Sequence, residues 1–146
     1  MDRIWSLVFG NPDLGPVDFR TLARRAQPND ALICPRDHCP NAVPDREPPV
    51  LPVAAERLRA LVSAVAREEA GTSVLDDGAP QMRYLVRSRV LRFPDTVNVE
   101  IVARSEGRAT LALYSRSQVG RTDFGTNRRR LERWVKRIEA RAATGG

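Results

Sequence analysis

The sequence predicts an α+β domain: a single antiparallel sheet of three to four strands with two helices on one face, preceded by a proline-rich extended arm. Three observations predict it. Residues 52–70 and 126–142 carry apolar side chains at helical spacing. Between them lies a stretch in which apolar and polar residues alternate. Nine of the eleven prolines fall within residues 10–52, where they forbid long helices and central strands. A chain of 146 residues has the length of one domain. The expected division is an arm with a short helix, residues 1–47, and the α+β domain, residues 48–146.

The arm opens with Met1–Gly10, MDRIWSLVFG, which is too short for a signal-peptide core and precedes no small-residue cleavage site. It is expected to be a short helix that docks on the domain or frays. The alternative is a weak membrane-surface contact with Trp5 and Phe9 as the wedge. With no export signal read and no apolar run near the ~18 residues of a span, the expected location is cytoplasmic or membrane-peripheral. A short helix is expected around Asp18–Ala26, capped by Asp18, with Phe19, Leu22 and Ala23 inside. The rest of the arm should lie extended on the domain. Cys34 and Cys39 flank His38, but no second ligand pair exists, so no metal is expected. Without export the thiols stay reduced; in an exported chain they could close a small disulfide loop.

In the first helical segment Leu58, Leu61, Val62 and Val65 form the apolar stripe, with Pro52 at its start and Gly71 at its stop. Asp76-Asp77-Gly78 is a turn. Met82, Tyr84, Val86 and Val90 then alternate with Arg83, Arg87 and Arg89. After Phe93-Pro94, Val97, Val99 and Ile101 alternate with Asn98 and Glu100; Ser105–Arg108 closes a hairpin, and Leu111 and Leu113 continue the period towards Ser115 and Ser117. The last helix carries Leu131, Trp134, Val135 and Ile138 inward, with Thr126 as the candidate cap and Gly145 as the stop. Both helices should cover one sheet face and leave the other, with its arginines, polar and wet.

Charge is uneven. Residues 1–82 carry nine cations and twelve carboxylates, a balance of −3; residues 83–146 carry fifteen and six, +9. Lys136 is the only lysine, so the cations are almost all planar arginines suited to carboxylate and phosphate. They concentrate in Ser115–Arg130, SRSQVGRTDFGTNRRR. Here, and in Phe93-Pro94-Asp95-Thr96-Val97, the sequence resembles the bacterial and plastid domain-of-unknown-function family DUF1499. Its members carry S-R-S-R-x-G-x-x-D-x-G-x-N-R-x-R before a last helix and an F-P-D-D-V-like turn before a strand. The resemblance spans residues 48–141 and implies a fold and a site location but no reaction, since the family's activity is not established. Many relatives carry a membrane-anchoring or export segment. Gln118 and Thr96 depart from the pattern, which has arginine and aspartate there.

A helix start favours carboxylates, yet this one opens with Asn127-Arg128-Arg129-Arg130. Arg116, Arg121, Asp123, Asn127 and Arg128 should therefore converge at the start of the final helix with Asp95 close by. Two readings stay open. Asp95, Asp123, Arg116 and Arg128 could clamp strand to helix, or an anion could bind there, with Gly120 and Gly125 letting the backbone approach. The expected function is a non-catalytic module that binds an anionic small molecule or an acidic surface, without a cofactor. One alternative is an enzyme using Asp95, Asp123 and Glu100 as acid–base groups with arginines beside them. Another is a structural or assembly protein at a membrane surface. Specific nucleic-acid recognition is not expected, because the basic strands lack interleaved aromatics to stack on bases.

Overall fold

The structure, a computed structural model, describes residues 13–87, 93–118 and 122–144. Met1–Gly10, Arg89, Val90, Gly120, Arg121 and Gly145 lie outside the described residues. The elements run β1 (Asp30–Ile33), α1 (Ala55–Glu68), β2 (Thr72–Asp76), β3 (Gln81–Arg87), β4 (Pro94–Ala103), β5 (Ala109–Ser117) and α2 (Thr126–Ala143). The strands form one antiparallel sheet in the order β1-β5-β4-β3-β2. This is the α+β arrangement expected, with two helices among the described residues, but the sheet has five strands where three to four were expected.

The extra strand is β1, and it comes from the arm. Pro28 and Pro35 bracket the proline-free run Asp30–Ile33, so neither removes a donor from the ladder. That run pairs along the edge of β5, Asp30 opposite Arg116 and Ile33 opposite Leu113.

Period-two alternation sorts the sheet into two faces. Met82, Tyr84, Val86, Val97, Val99, Leu111 and Leu113 face the helices and pack on Leu58, Leu61, Val62 and Val65 of α1 and on Leu131, Trp134, Val135 and Ile138 of α2. Trp134 is fully buried. Its ring meets Tyr84 edge-on with centroids 5.9 Å apart, and its Nε1 donates to Glu69 Oε1 at 3.3 Å. At the end of α1 the chain turns through Gly71, whose φ of +83° is open to glycine; a Cβ there would collide with the Arg87 carbonyl oxygen.

The second face departs from expectation. Instead of lying wet, it is covered by the arm. Phe19 and Cys39 pack with Leu32, Cys34, Ala112 and Tyr114 in a second apolar cluster. Cys34 and Cys39 are joined as a disulfide. The short helix expected around Asp18–Ala26 is replaced by one turn at Phe19–Thr21. A helix that short is marginal alone, and tertiary partners hold this segment differently. Arg24 bonds Asp30 and Asp45, and Arg25 bonds Asn29 and the Ser117 carbonyl.

Candidate functional site

The expected site falls where β4, β5 and the start of α2 meet. Antiparallel register sets Asp95 opposite Ser117, so both point to the helix face together with Ser115. Phe124 and Gly125 both take left-handed backbone, φ 52° and 82°, and turn the chain sharply into α2. That turn sets the Asp123 carboxylate against the helix start. Asp123 Oδ1 accepts the Gly125 N–H at 2.8 Å, and Oδ2 accepts the Asn127 N–H at 3.1 Å. Thr126, the expected cap, is the first helical residue; Gly125 holds the capping position and makes no side-chain cap bond. The carboxylate called for by the helix dipole is therefore the chain's own.

Asn127 ties the pieces together and is completely buried. Its Nδ2 donates to Asp123 Oδ2 at 2.6 Å and Ser117 Oγ at 2.9 Å, and lies 3.3 Å from the Asn29 carbonyl. Its Oδ1 accepts from Ser115 Oγ at 2.6 Å and Arg130 Nη1 at 3.0 Å. Arg130 Nη1 also reaches Asp95 Oδ2 at 2.9 Å, while its Nε lies 3.7 Å from Glu69 Oε2. Burial pushes the Asp95 carboxyl above its ordinary value; Arg130 and Ser117 pull it down without cancelling that push, and nearby Asp123 adds to it.

The structure thus brings together Asp95, Asp123 and Asn127. It does not bring Arg116 to them. Ser115 and Ser117 point to the helices, so Arg116 points to the other face, where it lies over the Tyr114 ring at 5.5 Å and donates to the Leu14 and Gly15 carbonyls. Burial depresses its guanidinium pKa. Arg121 is not described. Arg128 is exposed on the first turn of α2.

The cation in the cluster is Arg130, which the sequence reading passed over along with Ser115, Ser117, Asn29 and Glu69. The signal existed. Asn127, Arg130, Leu131 and Trp134 share one helical stripe, and the Leu111-Leu113-Ser115-Ser117 period already faces the helices.

Beside this cluster a cleft of about 300 Å³ opens between the arm and the start of α2, lined in part by Arg24, Arg25, Asp123, Gly125 and Arg128. Asp30 and Asp45 also line it, and Arg24 is committed to both. Arg25 donates to neutral acceptors, Asn29 Oδ1 and the Ser117 carbonyl. Among the described residues, no group of three or more His, Cys, Asp or Glu side chains is placed to hold a metal ion, and no helix is long and apolar enough to cross a membrane.

The framework is an α+β domain whose last helix is seated on its sheet by a buried carboxylate–amide–arginine cluster. The chain belongs to the family described as "Protein of unknown function (DUF1499)", which matches residues 16–138. That span reaches further into the arm than residues 48–141 and includes β1 and the Phe19 cluster. The crystal structure of TTHA0849 from Thermus thermophilus is similar over 67% of this chain and 95% of its own at 12% identity, but its TM-score of 0.36 is too low to define a common fold. No curated protein matches the sequence.

Proposed function

We propose that the protein is a non-catalytic binding module that seats an anionic group in the cleft between the arm and the start of α2. The observation that carries this reading is the pairing of Arg25 and Arg128 there. Both line the cleft, Arg25 spends its guanidinium on neutral acceptors, and Arg128 is exposed in a first turn that contains no acidic residue. An anion between them would meet two guanidiniums that form no ion pair among the described residues, in a cleft whose three arginines are matched by Asp30, Asp45 and Asp123. Of the residues expected to bind, Asp123 and Asn127 then shape the helix start, Arg128 contacts the ligand, and Asp95 supports the cluster beneath. Arg116 has no part in it. An acidic surface on a partner would be recognised by the same chemistry.

Acid–base catalysis has one observation in its favour, the raised pKa of Asp95. That carboxyl is 8% exposed and held by Arg130 and Ser117, which suits a buried joint better than a proton shuttle.

Thermal melts in phosphate, sulfate and small dicarboxylates at constant ionic strength test the binding reading. An anion at about 100 times its Kd stabilises by about 2.7 kcal/mol. Arg128→Ala should remove that stabilisation while leaving the ligand-free melt nearly unchanged, because its side chain is exposed. Identical melts for both proteins in every anion would overturn the proposal.

A further inference from the structure

The second face of the sheet holds residues 13–17 in an unusual way. Their covering segment is gripped by polar side chains from three adjacent strands, and the grip is mostly on backbone. Arg83 of β3 takes both oxygens of Asp13 in a fork, Nε to Oδ1 at 2.8 Å and Nη2 to Oδ2 at 3.1 Å. Gln81 of β3 reads both groups of one peptide residue, accepting the Val17 N–H at 2.9 Å and donating to the Val17 carbonyl at 2.7 Å. Asn98 of β4 donates to the Gly15 carbonyl at 3.0 Å. Arg116 of β5 donates to the Leu14 and Gly15 carbonyls, each at 3.2 Å.

Side chains that read peptide N–H and C=O groups together with one carboxylate recognise a short acidic peptide, whatever chain supplies it. The segment also leaves part of this surface unused. Arg116 Nε and Asn98 Oδ1 are buried without a hydrogen-bond partner among the described residues. Arg116 hydrogen-bonds only carbonyls and its Nε is unmet, although Asp13 already acts on its charge, so a displacing peptide has a place there for a further carboxylate.

We propose that this face is a binding surface for a short peptide that presents a carboxylate from a turn, and that Asp13–Val17, turned at Gly15 (φ 81°) with the Gly15 N–H donating to Asp13 Oδ1 at 2.8 Å, occupies it as a ligand tethered in cis. The surface, made by Gln81, Arg83, Asn98 and Arg116, shares no residue with the cleft beside α2 and does not depend on the function proposed there. Tethering gives the resident segment an effective concentration that a free peptide must outcompete. The surface is therefore closed to outside peptides until the segment's hooks are removed.

The test uses the full chain with Asp13→Ala and Val17→Pro, which delete the carboxylate and the N–H that the sheet recognises. The probe is a capped, fluorescein-labelled peptide of residues 13–19, followed by anisotropy at physiological salt. The doubly substituted chain should bind it at least about tenfold more tightly than the wild type. Adding Arg83→Ala should abolish that gain, and a probe with Asp13→Asn should bind at least about tenfold more weakly. A folded double variant, verified by circular dichroism, that binds no better than wild type overturns the proposal. Should the variant not fold, hydrogen exchange in the wild type decides. A Val17 amide exchanging at least about tenfold faster than the Leu113 amide supports a segment that leaves on its own. Equal rates mean that it leaves only on global unfolding, and overturn the proposal.

Discussion

Arg130 is 3% exposed and answers to two carboxylates and an amide at once, Asp95, Glu69 and Asn127. Removing one member of a buried ion cluster costs more than the cluster contributes net, because it leaves the rest charged and dry. Arg130→Ala should therefore destabilise by about 3–5 kcal/mol, read from urea unfolding. Replacing Asp95 and Arg130 together with leucine and methionine should lose less than Arg130→Ala alone, since Asp95 is then not stranded and Glu69 keeps Arg133 and the Trp134 Nε1. Additive losses would show that the pair is not coupled. Trp134→Ala should cost a similar ~3–5 kcal/mol by a different route, the cavity left under α2. Asn127 was legible as a helix-start residue because its type suits that place. Arg130 was signalled only by its place on the stripe of Leu131 and Trp134, and that signal was masked because an arginine within an arginine run reads as solvated surface. Its partners come from β4 and from the end of α1, and no local spacing announces them.

At the scale of elements, the helices and the three strands β3–β5 were legible because each carries its own period, while β2 has only the Asp76-Asp77-Gly78 turn to suggest it. β1 and the arm were not legible. Four residues give too short a pattern, and what makes them a strand is the waiting edge of β5. The arm's hold on the second face should also depend on pH. Burial alone would raise the Asp13 carboxyl, but the Arg83 fork and the Gly15 N–H outweigh it and keep its pKa below the ordinary value. A carboxylate with a lowered folded pKa contributes stability in full above its unfolded value, about 3.9, and loses it as pH falls through the folded value. The Val17 amide, followed by NMR as pH is lowered from about 6 to about 2, should lose protection through that window. In Asp13→Asn the same amide should show no such transition; an identical acid transition would place its origin elsewhere. A backbone constraint acts at the other end of β3. Gly71→Ala should destabilise by more than the ~1–2 kcal/mol of left-handed backbone alone, because the new Cβ also meets the Arg87 carbonyl.

Across the whole molecule, the surplus of positive charge in residues 83–146 collects in part on α2, where Arg128, Arg129, Arg133, Lys136 and Arg137 are exposed. A nucleic acid meeting such a face would find phosphate contacts alone. Binding to duplexes of unrelated sequence should be equally weak and should fall steeply with salt. Discrimination between sequences at physiological salt would contradict this. The two sulfurs and the core tryptophan lie on opposite sides of the sheet, Cys34 and Cys39 within the arm and Trp134 beneath α2. Assembly of the two sides can thus be timed separately in one refolding reaction. Thiol trapping of the reduced chain reports when the arm docks. Trp134 emission, in a Trp5→Phe background, reports when the helices close on the sheet. Whether the cover forms with the body or after it becomes a matter of comparing two clocks.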